Sequence, residues 1–192
     1  MIELDEVNKS FWLEQLSDIV KTCQKCRLYS TRNKTVYARG TPDAPIMFIG
    51  EAPGQEENKQ GVPFCGRAGI LLDRWLSEFH IQDKIYICNI CKCHTPGNRI
   101  PEQGEIEACL PYLKEQIEVV KPKVIVLLGG TALKAIFGND LKITRERGIT
   151  REFCGIPTIP TYHPAFILRQ SSEENIKAVK EDLTKAIKLA GL

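Results

Sequence analysis

Three short apolar runs and a fourth strand-like stretch, each cut off by residues that cannot continue a strand, constrain the fold of this chain more than any other feature. They are Ile46-Met47-Phe48-Ile49 before Gly50, Ile85-Tyr86-Ile87-Cys88 before Asn89, Val124 to Leu128 before Gly129-Gly130, and Ile156 to Thr161 before Tyr162-His163-Pro164. The first three runs, with no polar alternation, read as strands buried on both faces, and the stretch around Ile156 to Thr161 reads as a further strand before the break at Tyr162-His163-Pro164. The segments between and around them carry helical periodicity: residues 8–22 (Phe11, Trp12, Leu16, Ile19, Val20), the stretch Ile70 to Phe79, residues 102–120, Ala132 to Phe137 with Thr131 as its cap, and Glu173 to Leu189. Strands alternating with helices predict right-handed β-α-β units, and hence an α/β fold: a three-layer α/β/α sandwich with a short, mainly parallel central sheet. The strand at 156–161 is expected to be central. The segment up to Pro45 reads as irregular, the stretch from Gly50 to Gly66 as a long loop, and residues 142–155 as a hairpin or loop. With 43% hydrophobic residues and no linker-like stretch, residues 1–192 are expected to form one domain.

Ligands of open α/β sheets bind at the carboxyl ends of the strands, which is where the four polar breaks fall. The first break, Gly50-Glu51-Ala52-Pro53-Gly54, has glycines that let backbone approach a ligand and amides that can face a developing anion. It lacks the Lys-Ser/Thr of a P-loop and the G-x-G-x-x-G of a dinucleotide fold. Asn89 offers two donors and one acceptor, enough to read the edge of a nucleobase. His163 is the one histidine of three placed to meet Asn89 and the first loop; His80 closes a helix and His94 adjoins Cys93.

Eight cysteines, in a chain whose start lacks a secretory signal and which has no apolar run of membrane-spanning length, point to a cytoplasmic protein with thiols for metal ligation or packing. Cys23-x-x-Cys26, Cys93 and Cys109 suit a four-thiolate iron-sulfur site, and chemically they suit a structural zinc as well. Cys88 and Cys91 form a rival pair, although Cys88 lies inside a strand. The net charge of +2 gives weak attraction for a polyanion unless basic residues cluster, and Lys92, Arg99, Arg145, Arg147 and Arg151 are candidates for phosphate contacts.

Gly50-Glu51-Ala52-Pro53-Gly54, the Pro63-Phe64 step, Cys88-Asn89-Ile90-Cys91-Lys92-Cys93, Asn98-Arg99 and Tyr162-His163-Pro164-Ala165 together resemble the family 4 uracil-DNA glycosylases, over about Cys23 to Arg169. The resemblance implies an enzyme that flips uracil out of DNA and hydrolyses its N-glycosidic bond, the alternative being a binding module of the same fold. It implies a 4Fe-4S cluster on Cys23, Cys26, Cys93 and Cys109, with Cys65, Cys88, Cys91 and Cys154 left as packing residues. Phe64 is expected to stack on uracil, Asn89 to bond its edge, His163 to face its O2 side, and Ala52, within the 51–54 loop, to supply a backbone amide. Glu57 is the candidate wall against a C5 methyl group. The loop has no Asp to position water, which leaves Glu51 and Asn98. In Pro164 to Arg169, Leu168 and Arg169 are the candidate wedge and phosphate contact. Uracil-containing DNA is the expected partner of a monomer, with a sliding clamp as a further candidate partner.

Overall fold

The computed structural model describes residues 6–192. One sheet contains β1 (Ala38–Gly40), β2 (Ile46–Gly50), β3 (Ile85–Asn89), β4 (Val124–Leu128), β5 (Arg151–Phe153) and β6 (Ile156–Thr161), in the order β1-β3-β2-β4-β6-β5. The four inner strands run parallel, and the two edges pair antiparallel. The strand before His163 therefore lies one place from an edge, with β2 and β4 at the centre.

Successive side chains on a strand point to opposite faces, so each apolar run serves two cores. Met47, Ile49, Tyr86, Cys88, Ile125 and Leu127 pack on one face against α1 (Glu6–Lys21) and α4 (Gln103–Val120). Ile46, Phe48, Ile85, Ile87, Val124 and Val126 pack on the other against α3 (Arg67–Glu78) and α8 (Glu173–Ala190). Both faces are covered, and the expected three layers are present.

Several local expectations change. The long first loop contains a short helix, α2 (Gln55–Gln60), and β1 forms within the segment read as irregular. Helix α5 (Gly130–Phe137) starts two residues early, with Gly129 at its cap, so Thr131 lies inside the first turn and its hydroxyl is free for another task. Residues 142–155 supply α6 (Ile143–Glu146) and the first strand of the β5–β6 hairpin. Pro164 to Arg169 is a separate short helix, α7, followed by Ser172 as the cap of α8.

The end of β6 is anchored from below. The buried Asp182 carboxylate on α8 accepts from the Thr161 hydroxyl at 2.7 Å and from the Arg147 guanidinium at 2.8 and 3.1 Å. A buried carboxylate is tolerable only when so paired, and this one fixes the strand end that presents Tyr162 and His163.

Candidate active site

The carboxyl ends of β2, β3, β4 and β6 open into one cleft of about 620 Å³. Glu51, Ala52, Glu57, Phe64, Asn89, Asn98, His163 and Arg169, widely separated in the chain, all line it. Leu168 does not. It is 41% exposed, on the outer side of α7.

Three glycines make room for the three side chains expected to handle a base. A Cβ on Gly50 would sit 2.3 Å from Asn89 Oδ1 and 2.7 Å from Phe64 Cζ, so both groups lie directly over that backbone. A Cβ on Gly69 would lie 1.7 Å from the Phe64 carbonyl oxygen. That close approach holds Phe64 at φ +53°, a left-handed conformation a bulky residue rarely takes. A Cβ on Gly129 would meet His163 Cβ at 2.9 Å. The Phe64 and His163 rings consequently face each other with centroids 5.8 Å apart and planes 29° from parallel.

Asn89 is 2% exposed at the end of β3, paired in register with Gly50. His163 caps α7: its Nδ1 accepts from the Ala165 N–H at 3.0 Å, so the neutral ring carries its proton on Nε2. Burial, aided by the positive charge of Arg169, pushes the His163 pKa down to about 4. At neutral pH the ring is an uncharged donor. Burial raises the Glu51 carboxyl above its ordinary value, while a hydrogen bond from Thr131 works in the opposite direction. Thr131 was not foreseen as a site residue. Its signal in the sequence is a hydroxyl three residues beyond a strand end, which reads equally well as a helix cap.

Glu57, in the first turn of α2, accepts from the Gly66 N–H at 2.8 Å and so ties the two ends of the loop together beside Phe64. Asn98 stands exposed at the mouth on a turn held by the Thr95 hydroxyl, which donates to the Arg99 carbonyl at 2.6 Å. Arg99 forks onto the buried Glu105 at 2.6 and 2.8 Å. His94 Nδ1 lies 2.8 Å from the Pro53 carbonyl oxygen and braces the first loop.

The basic residues read as phosphate contacts are mostly committed elsewhere. Lys92 is 1% exposed and bonded internally, Arg147 belongs to Asp182, and Arg151 pairs with Glu146 at 2.5 Å. Arg99 reaches the cleft but is held by Glu105. Arg145 remains on the exposed surface.

Cys23, Cys26, Cys93 and Cys109 line a second, small cavity between the end of α1 and α4, separate from the cleft. Three N–H groups address its sulfurs: Lys92 N to Cys109 Sγ at 3.2 Å, Arg32 to Cys93 Sγ at 3.4 Å and Lys25 N to Cys23 Sγ at 3.5 Å. The adjacent Cys91 thiol and the Lys92 charge and amide lower the Cys109 pKa. Among the described residues, no three Cys, His, Asp or Glu side chains close tightly enough to enclose a single metal ion. Cys88 and Cys91 are buried, as packing residues should be, whereas Cys154 is exposed at the β5–β6 turn. Its backbone sits at φ +53°, the geometry a tight hairpin turn imposes, so the turn and not packing accounts for its place.

A mainly parallel sheet with an aromatic ring, a carboxamide and a neutral imidazole converging at its strand ends defines a nucleobase-handling α/β protein. Residues 37–186 match the profile of the Uracil DNA glycosylase superfamily. The chain is 44% identical to the type-4 uracil-DNA glycosylase of Thermotoga maritima over 177 residues, which cover 91% of this chain and 92% of that one. It is 42% identical to the type-4 enzyme of Sulfurisphaera tokodaii (88% and 84% covered) and 40% identical to that of Saccharolobus solfataricus (90% and 87%). The chain belongs to the uracil DNA glycosylase superfamily, as a member of its type-4 group.

Proposed function

We propose that this chain excises uracil from DNA by hydrolysis of the N-glycosidic bond, leaving an abasic site. The observation that carries this reading is the convergence of Phe64, Asn89 and His163 on one cleft floor made of glycine. A base inside a duplex is out of reach, so it is flipped, at a cost of a few kcal/mol in lost stacking and pairing. Stacking on Phe64 offsets part of that cost, and the Asn89 carboxamide reads the polar edge. Cytosine exchanges donor and acceptor along that edge, and reversed polarity at a buried amide discriminates better than size does.

As the glycosidic bond breaks, negative charge gathers on the uracil and positive charge on the sugar. The neutral His163, with its proton on Nε2, donates to the anion, as do amides of the 51–54 loop that include Ala52. Glu51, steadied by Thr131, sits across the site as an acceptor for the attacking water and a counter-charge for the sugar. Asn98, at the mouth, is a second polar group for that water. A dissociative reaction asks little of its nucleophile, which suits a site without the Asp.

Cys23, Cys26, Cys93 and Cys109 would hold a 4Fe-4S cluster. A four-iron cluster takes one thiolate per iron, so its cysteines stand farther apart than the ligands of a lone ion, and N–H···S bonds of the kind found here tune such clusters. Held by these four cysteines, such a group would link the end of α1, the segment after β3 and α4. Thiolate ligands need reducing surroundings, so a cytoplasmic location is part of this reading.

The test is release of free uracil, followed by chromatography, from an oligonucleotide containing one deoxyuridine. Release with formation of an alkali-labile site supports the reading. Binding without release would instead make the protein a recognition module. A visible thiolate-to-iron absorption in the purified protein tests the cluster separately, and a colourless zinc protein would overturn that assignment.

A further inference from the structure

Lys92 is the most deeply buried charged residue among the described residues, 1% exposed, and all of its polar groups are engaged. Its N–H donates to Cys109 Sγ at 3.2 Å, and its carbonyl accepts from the Val36 N–H at 2.8 Å. Its Nζ donates to the Asn89 carbonyl at 2.6 Å and to Gln116 Oε1 at 2.5 Å. Gln116, fully buried on α4, donates in turn to the Tyr86 hydroxyl at 3.0 Å, and the Tyr37 ring centroid lies 6.0 Å from the ammonium.

The bond to Asn89 has a specific cause. Ile90 N–H makes the last bond of the β2–β3 ladder, to the Gly50 carbonyl, and beyond it Cys91 N–H goes to the Glu51 carbonyl. The Asn89 carbonyl then faces a buried turn, where the natural donor would be the amide of residue 92. That amide is committed to Cys109. The ammonium of the same residue reaches back and supplies the missing donor, so one side chain satisfies the backbone directly beneath the carboxamide that reads the base.

We propose that Lys92 is the positioning residue that fixes Asn89 for base reading, from a seat pinned by its own backbone to the cysteine that faces the second cavity. The proposal rests on the glycosylase reading. Without the ammonium, a buried carbonyl has no partner, and the strand end that aims the Asn89 amide relaxes. Cutting the far side of the network at Gln116 leaves the Lys92–Asn89 bond in place.

Lys92→Met, which keeps the length of the side chain, and Gln116→Leu separate these roles. Both disrupt the same buried network and are expected to lower the melting temperature by similar amounts. Only Lys92→Met is expected to lower single-turnover uracil release from a single-stranded deoxyuridine oligonucleotide, by about 10- to 100-fold, and to weaken inhibition by free uracil by a comparable factor. Affinity for the same oligonucleotide without uracil should stay within about twofold, as should visible absorption per protein. Equal losses in the two variants, or no loss in Lys92→Met, would overturn the assignment. If Lys92→Met does not fold, the double variant Lys92→Met/Gln116→Leu replaces both buried partners by apolar side chains and so removes the donor to the Asn89 carbonyl without stranding Gln116 Oε1, and an unchanged release rate there overturns it equally. Wild-type protein that released no uracil would sink the glycosylase reading itself, a result distinct from all of these.

Discussion

The Ala165 N–H donates to Nδ1 of His163 from 3.0 Å, and this single bond decides which ring nitrogen carries the proton in the cleft. Because burial also holds the His163 pKa at about 4, the ring stays neutral across the physiological range. The acid limb of uracil release should therefore come from Glu51, whose carboxyl is raised above its ordinary value, and not from the histidine. In Glu51→Gln the limb is expected to move down to about pH 4, with a lower plateau. A Glu51→Gln profile that kept nearly all the wild-type single-turnover rate would remove Glu51 as the acceptor for water. The same depression acts on stability. The unfolded chain takes up a proton near the ordinary 6.5 and the folded chain only near 4, so this histidine's contribution, complete above 6.5, is lost as pH falls between the two values.

Gly50→Ala should close the base site while leaving the sheet intact. The new methyl group would overlap Asn89 Oδ1 and the Phe64 ring, side chains that can swing aside only by leaving their base-reading positions. Misplacement of about 1 Å in a reactive geometry costs on the order of 100-fold. Single-turnover release should fall by about that factor or more, with little change in the urea midpoint.

Glu57→Ala removes the carboxylate that joins the loop to the Gly66 amide beside Phe64. Release of thymine from a thymine-containing oligonucleotide is the expected gain, with uracil release reduced by less than about 10-fold, since a hydrophobic site rejects an added methyl group by only about 1–3 kcal/mol. No thymine release would count against Glu57 as the C5 wall.

Arg169 and Leu168 are neighbours with different surroundings, and their variants should differ accordingly. Arg169 lines the cleft, so Arg169→Ala should weaken binding evenly across sequences and reduce the slope of log affinity against log salt by about 1. Leu168 is exposed and does not line the cleft, so a wedge role would act on the duplex and not in the base site. Leu168→Ala should impair excision from double-stranded DNA more than from single strands, because only the duplex has a stack to fill. Equal effects on both substrates would remove the wedge.

Much of the architecture was legible in the chain. The three apolar runs, the stretch at 156–161, their polar stops and the periodic segments between them specify strands, helices and a site at the strand ends, because a strand buried on both faces shows no polar alternation. Asn89 and His163 could be placed by that logic alone. The preference for uracil, and the expectation of iron rather than zinc, rest on resemblance, since side-chain type at a strand end does not name a base and thiol spacing does not name a metal.

Lys92 shows where a sequence stops being informative. Next to Cys91 and Cys93 and near Arg99, it reads as one more surface cation. Its burial depends on Gln116 from α4 and the carbonyl of Asn89, partners 24 residues away and three residues away, which meet only after the turn beyond β3 folds. Arg147 and Thr131 differ from expectation for the same reason: Asp182 claims the first and Glu51 the second, across distances in sequence that no local pattern encodes. The sequence by itself determined the layers, the strand ends and the residues that reach them, because those follow from periodicity and from which residues can continue a strand. Only the tertiary structure decided which charges are free for DNA, which proton His163 carries and what holds Asn89 in place, because each of these is set by a partner brought in from elsewhere in the chain.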